Sequence, residues 1–426
     1  PVVAGLLAAD GRALVDKRLL VLEEGEQSWT FEGIASPPVP SLLRGFSAPV
    51  RLEDGLDDAA RLVLAEVPLW VLYENPAVPY EQDEVTRVIR DAVDMEIYHE
   101  IKDWTVGGFR EWLLTDSTSD EMIRRISNGI TSEMVAAVTK LMSNLDLVYG
   151  AGKIHVTAHC NNTIGAPGTL SSRLQPNHPT DSPEAIRAEI YEGLSYGTGD
   201  SVIGINPADD SYASVSRLLD MTYEVIKEWE IPTQNCVLAH VATQMKCMKA
   251  GSPVGLVFQS IAGSQKGCES FGISVGMLDE AYELAKKHCF PSGPNFMYFE
   301  TGQGSALSAD AHNGWDQLTL EARNYGLAKR YHPFQVNTVV GFIGPEYLYD
   351  ARQIQRAGLE DHFMGKLTGV PMGVDACYTN HARADQNSIE NLAVLHADCS
   401  DVDLFVGKAS GGGRLAARSV GPPRPA

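Results

Sequence analysis

Five polar side chains, far apart in the sequence, have the types and positions needed to bind a small charged molecule. They are Arg173, Gln175, Asn206, Glu300 and Asp375. The last three each follow a short apolar run. A carboxylate that closes an apolar strand is costly to bury unless it meets a partner or a cationic ligand. If the five converge, they form a small, wet, charged pocket inside an apolar ring.

Each of these residues also has an ordinary structural explanation. Asn and Asp at the ends of strands often cap the next helix or form a turn, which applies to Asn206. Arg173 suits a surface salt bridge. Glu300 precedes Thr-Gly-Gln-Gly and is less easily explained in this way. Five polar groups at equivalent positions together favour a binding site.

Several other chemistries lack their motifs. His99-Glu100 is not followed by the residues of an H-E-x-x-H zinc site, and there is no G-x-S-x-G nucleophile elbow. Gly302 and Gly304 form G-x-G without the G-K-[ST] of a phosphate loop. His240, within the apolar run VLAHVA, is better explained as a satisfied barrel histidine than as a ligand. The site is therefore expected to contain no metal and no nucleophile of its own.

The elements that position these residues alternate between strands and helices. The eight expected strands are Ile154–Ala158, Ser201–Pro207, Cys236–Val241, Val254–Ser260, Asn295–Thr301, Val336–Gly344, Gly369–Tyr378 and Val402–Gly407. The expected helices include Pro183–Leu194, Ser214–Trp229, Met277–Lys287, Gln317–Lys329, Arg352–Leu367 and Asn387–His396. This pattern predicts an α/β fold, a (β/α)8 TIM barrel whose site lies at the carboxyl ends of the strands. The alternative, a doubly wound open sheet, lacks its Gly-rich loop.

Four parts of the chain differ in pattern. Residues 1–70 are β-rich, with strands at Arg18–Leu22 and Trp29–Phe31, and residues 71–151 are helical. The barrel is expected at 152–408, and the Gly/Pro-rich basic tail at 409–426 is expected to be disordered. The eighth strand has no convincing helix after it, so the C-terminal end of the barrel is expected to be incomplete.

Composition narrows the partners and the compartment. The chain of 426 residues has a formal net charge of −21, which disfavours nucleic acid and suits an amine-bearing cation. No apolar run reaches the roughly 18 residues of a membrane span, and the start is a poor signal peptide. Seven dispersed cysteines without C-x-x-C fit a reducing compartment. We expect a cytoplasmic protein that contacts no membrane.

The motifs around these residues resemble the large subunit of ethanolamine ammonia-lyase. They run in order from about residue 74 to 395 and include ENPAVPYEQDEVTRVI, RLQPN, IGINP, YFETGQGSALSA, NTVVGFIGPEYLYD and YTNHARADQN. The resemblance implies a (β/α)8 barrel with helical additions. It also implies a carbon–nitrogen lyase that uses adenosylcobalamin, a cobalt cofactor, for radical deamination of ethanolamine to acetaldehyde and ammonia.

The resemblance also implies roles for the five residues. Arg173 and Asn206 bind the substrate hydroxyl, and Gln175 and Asp375 hold the amine. Glu300 contacts both groups and is the carboxylate best placed to handle protons. Glu300, Arg173 and Asp375 are therefore the expected catalytic residues.

Cofactor and partner expectations follow from the same resemblance. The expected cofactor contacts are Asn206, Pro207, Ser260, Phe271, Ser308 and Phe342. The lower-ligand motif D-x-H-x-x-G is not matched, since in Asp310-Ala311-His312-Asn313-Gly314 the glycine comes one residue early, so the cofactor's own base is expected on cobalt. The resembled family works with a small subunit in a hetero-oligomer, often inside a bacterial microcompartment.

A second resemblance concerns the first part of the chain. Ser28–Glu53 resembles a non-catalytic β-rich segment of a zinc alanyl aminopeptidase whose H-E-x-x-H domain is absent here. Residues 1–70 are therefore interpreted as a graft. Two alternatives remain open: a catalytically inactive chimeric barrel that serves as a partner-binding remnant, and a cofactor-free lyase or aldolase. The latter needs a Schiff-base lysine, and no candidate strand ends in Lys.

Overall fold

A computed structural model of the chain describes residues 60–301, 311, 313–340, 348, 350–375 and 382–398, with the backbone of three further strands. Two of these strands form an N-terminal hairpin. β1 (Leu20–Leu22) pairs antiparallel with β2 (Trp29–Phe31), close to the two predicted strands. The predicted tail at 409–426 lies outside the described residues.

The segment that follows is helical, and helix begins at residue 60, within the part of 1–70 that was predicted to be β-rich. Its helices are α1 (Leu69–Glu74), α2 (Glu84–Asp91), α3 (Met95–Ile101), α4 (Val106–Leu114), α5 (Asp120–Ile126), α6 (Ser132–Leu141) and α7 (Asn144–Gly152). The side chain of Asp83 caps α2 by accepting a hydrogen bond from the Thr86 amide at 2.7 Å. Val85, Val88 and Ile89 recur at helical spacing and are buried in the main core.

Parallel strands separated by helices make up the rest of the described chain. After a short antiparallel hairpin of β3 (Ala158–His159) and β4 (Thr163–Ile164), the parallel strands are β5 (Arg173–Leu174), β6 (Val202–Ile205), β7 (Asn235–Val237), β8 (Val257–Ser260), β9 (Met297–Thr301), β10 (Gln335–Thr338), β11 (Met372–Asp375) and β12 (Asp403–Phe405). They form one sheet of order β5-β6-β7 and another of order β8-β9-β10-β11-β12.

The two sheets meet at both ends. β7 lies beside β8, where the Leu256 amide donates to the Asn235 carbonyl at 2.9 Å. β12 lies beside β5. The helices that connect the strands are α8 (Pro183–Ser195), α9 (Tyr212–Glu228), α10 (Val241–Ala250), α11 (Gln265–Ser270), α12 (Val275–His288), α13 (Gln317–Lys329), α14 (Ala351–Thr368) and α15 (Gln386–Asp398). The molecule is therefore a mixed α/β protein with parallel sheets.

The prediction of the first parallel strand was wrong. Ile154–Ala158 does not form one; only its last residue enters the β3–β4 hairpin. The first parallel strand is β5, and Arg173 lies on it. The error has a physical cause, because Ile154 is buried without being extended in a sheet. The true strand carries a charged inward residue and shows no apolar run.

The end of the third predicted strand was also wrong. Cys236–Val241 is a strand only as far as Val237, and α10 begins at Val241. His240 caps this helix, with its Nδ1 accepting from the Ala242 amide at 3.2 Å. Helix α10 and the short α11 were not predicted. The six predicted helices all form, with ends that differ by at most two residues.

A buried ion-pair network fixes the helical segment to the α/β part. Arg323 on α13 is fully buried, and its Nη1 lies 2.6 Å from Glu133 Oε1 on α6. Its Nη2 lies 3.1 Å from Asp83 Oδ1 at the start of α2. Its Nε donates to the Gly263 carbonyl at 2.6 Å. Each buried charge thus has a partner, as burial requires. No helix in the described part of the chain is long and apolar enough to cross a membrane.

Candidate functional site

The candidate site lies at the carboxyl ends of the parallel strands. Glu300 on β9 is in register with Ser260 on β8 and with Asn337 on β10. Asn337 is in turn opposite Gly373, and Asp375 lies two residues further along the same strand, β11. Residues two apart point to the same face of a strand. The strand register therefore brings Glu300, Asn337 and Asp375 to one edge and one face.

Arg173 joins the two carboxylates. Its Nη1 lies 2.5 Å from Glu300 Oε1, and its Nη2 lies 3.4 Å from Asp375 Oδ1. Nη2 also donates to Gln175 Oε1. The side chains of Arg173, Glu300 and Asp375 are only 3%, 18% and 13% exposed. The structure thus brings together four of the five residues singled out in the sequence.

Two residues that sequence reasoning missed complete this cluster. The Tyr298 hydroxyl donates to Glu300 Oε1 at 2.7 Å and accepts from Arg173 Nη1. Asn337 Nδ2 donates to Asp375 Oδ1 at 3.1 Å and approaches Glu300 Oε1 at 3.5 Å. Strand alternation could have found Tyr298, because it lies two residues before Glu300. Asn337 interrupts an apolar run and gave a similar signal.

Low exposure strengthens the electrostatics of the cluster. Two carboxylates and one guanidinium sum to a charge of −1, which suits one positively charged ligand group. Interactions between charges are stronger where water is excluded. The nearby thiol of Cys236 is fully buried, and burial, followed by the charge of Glu300, raises its pKa well above the usual value. Cys236 is therefore a neutral thiol and a poor nucleophile.

The expected cofactor residues are more exposed. Asn206 directly follows β6 at the same edge, and its side chain is exposed. No hydrogen bond joins Asn206 to the cluster within the described residues. Pro207, Ser260 and Phe271 are half-buried. Phe271 ends α11, where its carbonyl lies 3.2 Å from His240 Nε2. Ser308 and Phe342 lie outside the described residues.

The cluster is not arranged as a metal site. Among the described residues, no group of three or more His, Cys, Asp or Glu side chains could hold a metal ion. The carboxylates instead face an arginine, an amide and a phenol. Such a set can bind an ammonium and a hydroxyl, and it can accept or return a proton.

Comparison with known proteins divides the chain into two unequal parts. Residues 1–55 match the model described as Domain of unknown function (DUF3458) Ig-like fold. The chain is also 47% identical over 60 residues to Aminopeptidase N of Caulobacter vibrioides, a match that covers 14% of this chain and 7% of that protein. These matches confirm the aminopeptidase resemblance of the first segment.

The solved structure of wild-type Plasmodium falciparum HPPK-DHPS with STZ-DHP aligns at a TM-score of 0.40 and 14% identity, covering 65% of this chain and 52% of that chain.

The larger part of the chain matches a lyase family in sequence. The ethanolamine ammonia-lyase large subunit of Escherichia coli is 57% identical over 339 residues, covering 80% of this chain and 75% of that protein. The Salmonella typhimurium large subunit is 56% identical over the same length. Residues 53–408 match the family model described as Ethanolamine ammonia lyase large subunit, and the chain belongs to this family.

Proposed function

We propose that this chain is the substrate-binding large subunit of an adenosylcobalamin-dependent ethanolamine ammonia-lyase. The reaction converts ethanolamine to acetaldehyde and ammonia. Sequence identity of 57% to a large subunit of that name supports the activity. We further infer that β5 to β12 close into a (β/α)8 barrel. The adjacency of the two parallel sheets at both ends supports closure.

The observation that carries the proposal is the bridge of Arg173 between Glu300 and Asp375. Ethanolamine has an ammonium at one end and a hydroxyl at the other. The proposed roles assign the hydroxyl to Arg173 and Asn206. Gln175 and Asp375 then hold the ammonium. Glu300 lies between Arg173 and Asn337, where its carboxylate contacts both ends of the substrate.

These residues have defined tasks during the reaction. Arg173 holds the hydroxyl oxygen and stabilises negative charge that develops there. Glu300 holds a proton of the ammonium and takes up or returns a proton as the amino group leaves. Buried Tyr298 fixes the Glu300 carboxylate by donating to Oε1. The low exposure of the cluster keeps water from competing for these contacts.

The described rim of the sheets fits the proposed cofactor. Exposed Asn206 and half-buried Pro207 follow β6. Half-buried Ser260 ends β8, and half-buried Phe271 follows α11. Together they leave accessible polar and apolar surface at this rim. Adenosylcobalamin, when bound, supplies the radical chemistry. A base-on cofactor is proposed from the sequence, in which the D-x-H-x-x-G motif of a protein lower ligand is not matched. Contacts from Ser308 and Phe342 are proposed from sequence.

Partners and domain limits belong to the same proposal. We propose a small-subunit partner in a hetero-oligomer, and a cytoplasmic location, in a bacterial microcompartment where one is present. The proposed parts are an aminopeptidase-like graft, predicted at 1–70 and matched over 1–55; a helical segment at 71–151; the catalytic barrel at 152–408; and the tail at 409–426. Leu64 and Leu69 are buried in the main core, so the graft's removable portion ends before residue 60.

One experiment tests the activity. The chain is purified with a family small subunit, and adenosylcobalamin is added while the visible spectrum and acetaldehyde formation are recorded. We expect a bound-cofactor spectrum and ethanolamine-dependent acetaldehyde. Bound cofactor without turnover contradicts the proposed activity. Failure to bind cobalamin favours the alternative of an inactive, partner-binding barrel.

A further inference from the structure

Asn337 occupies the space between the two carboxylates of the site. It lies on β10, fully buried, in register with Glu300 on one side and with Gly373 on the other. Its Nδ2 is 3.1 Å from Asp375 Oδ1 and 3.5 Å from Glu300 Oε1. One amide group therefore faces both carboxylates from a strand between them.

The two carboxylates have two very different bridging groups. Arg173 bridges them with a positive charge, and Asn337 bridges them with a neutral donor. Two carboxylates that share the same bridging groups repel each other unless hydrogen-bond donors lie between them. A second cation at position 337 would cancel the charge of −1 that attracts an ammonium. A neutral amide supplies donors and leaves that charge in place.

The other half of the amide is unsatisfied. Asn337 Oδ1 is buried and has no hydrogen-bond partner in the described part of the chain. Leaving a buried acceptor unpaired is costly. This observation supports a polar ligand close to Asn337, since an ammonium held by the two carboxylates could donate a further hydrogen bond.

We propose that Asn337 is a positioning residue of the amine pocket. Its NH2 group sets the separation and orientation of Glu300 and Asp375 so that they enclose one ammonium. The inference rests on the proposed function, because it takes ethanolamine as the ligand. If Asn337 only stabilised the strand, its substitution would weaken the binding of charged and neutral ligands equally.

The chain offers a matched control on the same strand. Thr338 is buried next to Asn337, and its hydroxyl donates to Asp361 Oδ2 on α14 at 2.7 Å. Thr338→Val removes this bond and should destabilise the protein without contacting either carboxylate. Asn337→Leu keeps the side chain's approximate size and removes both donors. Asn337→Ser retains a donor and tests rescue.

The experiment compares two ligands of equal size. Ethanolamine carries an ammonium where neutral 1-propanol carries a methyl group. Ethanolamine turnover gives KM and kcat, and competition by 1-propanol gives its inhibition constant, for the holoenzyme with each substitution. Thermal unfolding is measured in parallel, so that a loss of fold is separated from a loss of the pocket.

We expect Asn337→Leu to raise KM for ethanolamine by about 10- to 100-fold, since hydrogen bonds to charged groups are lost. The inhibition constant of 1-propanol should change less than about threefold, because its methyl group makes no hydrogen bond to the carboxylates. Asn337→Ser should recover part of the lost affinity for ethanolamine. Thr338→Val should lower Tm without changing the ratio of KM for ethanolamine to the inhibition constant of 1-propanol.

The outcomes that overturn the inference are distinct from those that overturn the function. Equal losses for both ligands, or no loss for ethanolamine, show that Asn337 does not position the amine pocket. If Thr338→Val changes the ratio as much as Asn337→Leu does, the effect is structural and the inference is also wrong. A parent protein that binds cobalamin but neither binds nor turns over ethanolamine overturns the proposed function, and the inference with it.

Discussion

Replacing Glu300 with Gln is the most informative single change. Glu300 Oε1 accepts hydrogen bonds from Arg173 Nη1 at 2.5 Å and from the Tyr298 hydroxyl at 2.7 Å. The amide of Gln keeps the shape of the side chain but removes its charge and its capacity to accept a proton. Both proposed tasks of Glu300, pairing with the ammonium and handling its proton, are therefore lost.

The expected magnitude follows from these contacts. Loss of a charged group that stabilises the transition state in a desolvated site costs about 2–4 kcal/mol. This corresponds to a fall in kcat/KM of roughly 30- to 1000-fold. Stability should fall by about 1–2 kcal/mol, because charge-assisted hydrogen bonds are roughly twice as strong as neutral ones. Of the two carboxylates, buried Arg173 then keeps only Asp375, at 3.4 Å.

The assay couples acetaldehyde to NADH oxidation by alcohol dehydrogenase, with Tm measured on the same samples. The matched control is Glu283→Gln on α12, since Glu283 is an exposed carboxylate paired with Lys286. This control should change neither kcat/KM nor cofactor binding. If Glu300→Gln deaminates ethanolamine at near-parent rates, Glu300 is not the central group, and Asp375 becomes the better candidate.

Four further predictions test the site, the core and the first segment. Asp375→Asn should raise KM for ethanolamine more than it lowers kcat, as steady-state kinetics will show; a pure kcat effect contradicts its role in amine binding. Arg323→Met should destabilise the protein by about 3–5 kcal/mol in urea unfolding, because Asp83 and Glu133 stay buried without their partner; an unchanged midpoint refutes this. Burial lowers the pKa of His396 from 6.5 to about 4, so the folded state resists protonation and stability falls as pH drops from about 6.5 to about 4. His396→Leu should remove about 3 kcal/mol of this acid sensitivity, measured as unfolding free energy against pH, and an unchanged slope contradicts the assignment. Deleting residues 1–59 should leave ethanolamine turnover intact, and a folded but inactive deletion shows that the segment contributes to the chemistry.

Local sequence patterns were sufficient for most of the secondary structure. Gln317–Lys329 was predicted with the ends that α13 has. A carboxylate after an apolar run marked Glu300 and Asp375 as candidates, because burial of charge demands a partner wherever it occurs. Such signals depend on neighbouring residues alone, so they are present in the sequence.

The tertiary structure decided which groups meet. Arg173 reaches Glu300 across 127 positions of sequence, and its own strand has no apolar run to reveal it. Asn337 acquired its place between two carboxylates only through the register of β9, β10 and β11. Strand register and sheet closure are set by packing of the whole core, and no local periodicity encodes them. The sequence by itself therefore determined the elements and the charged candidates, whereas the fold determined their partners.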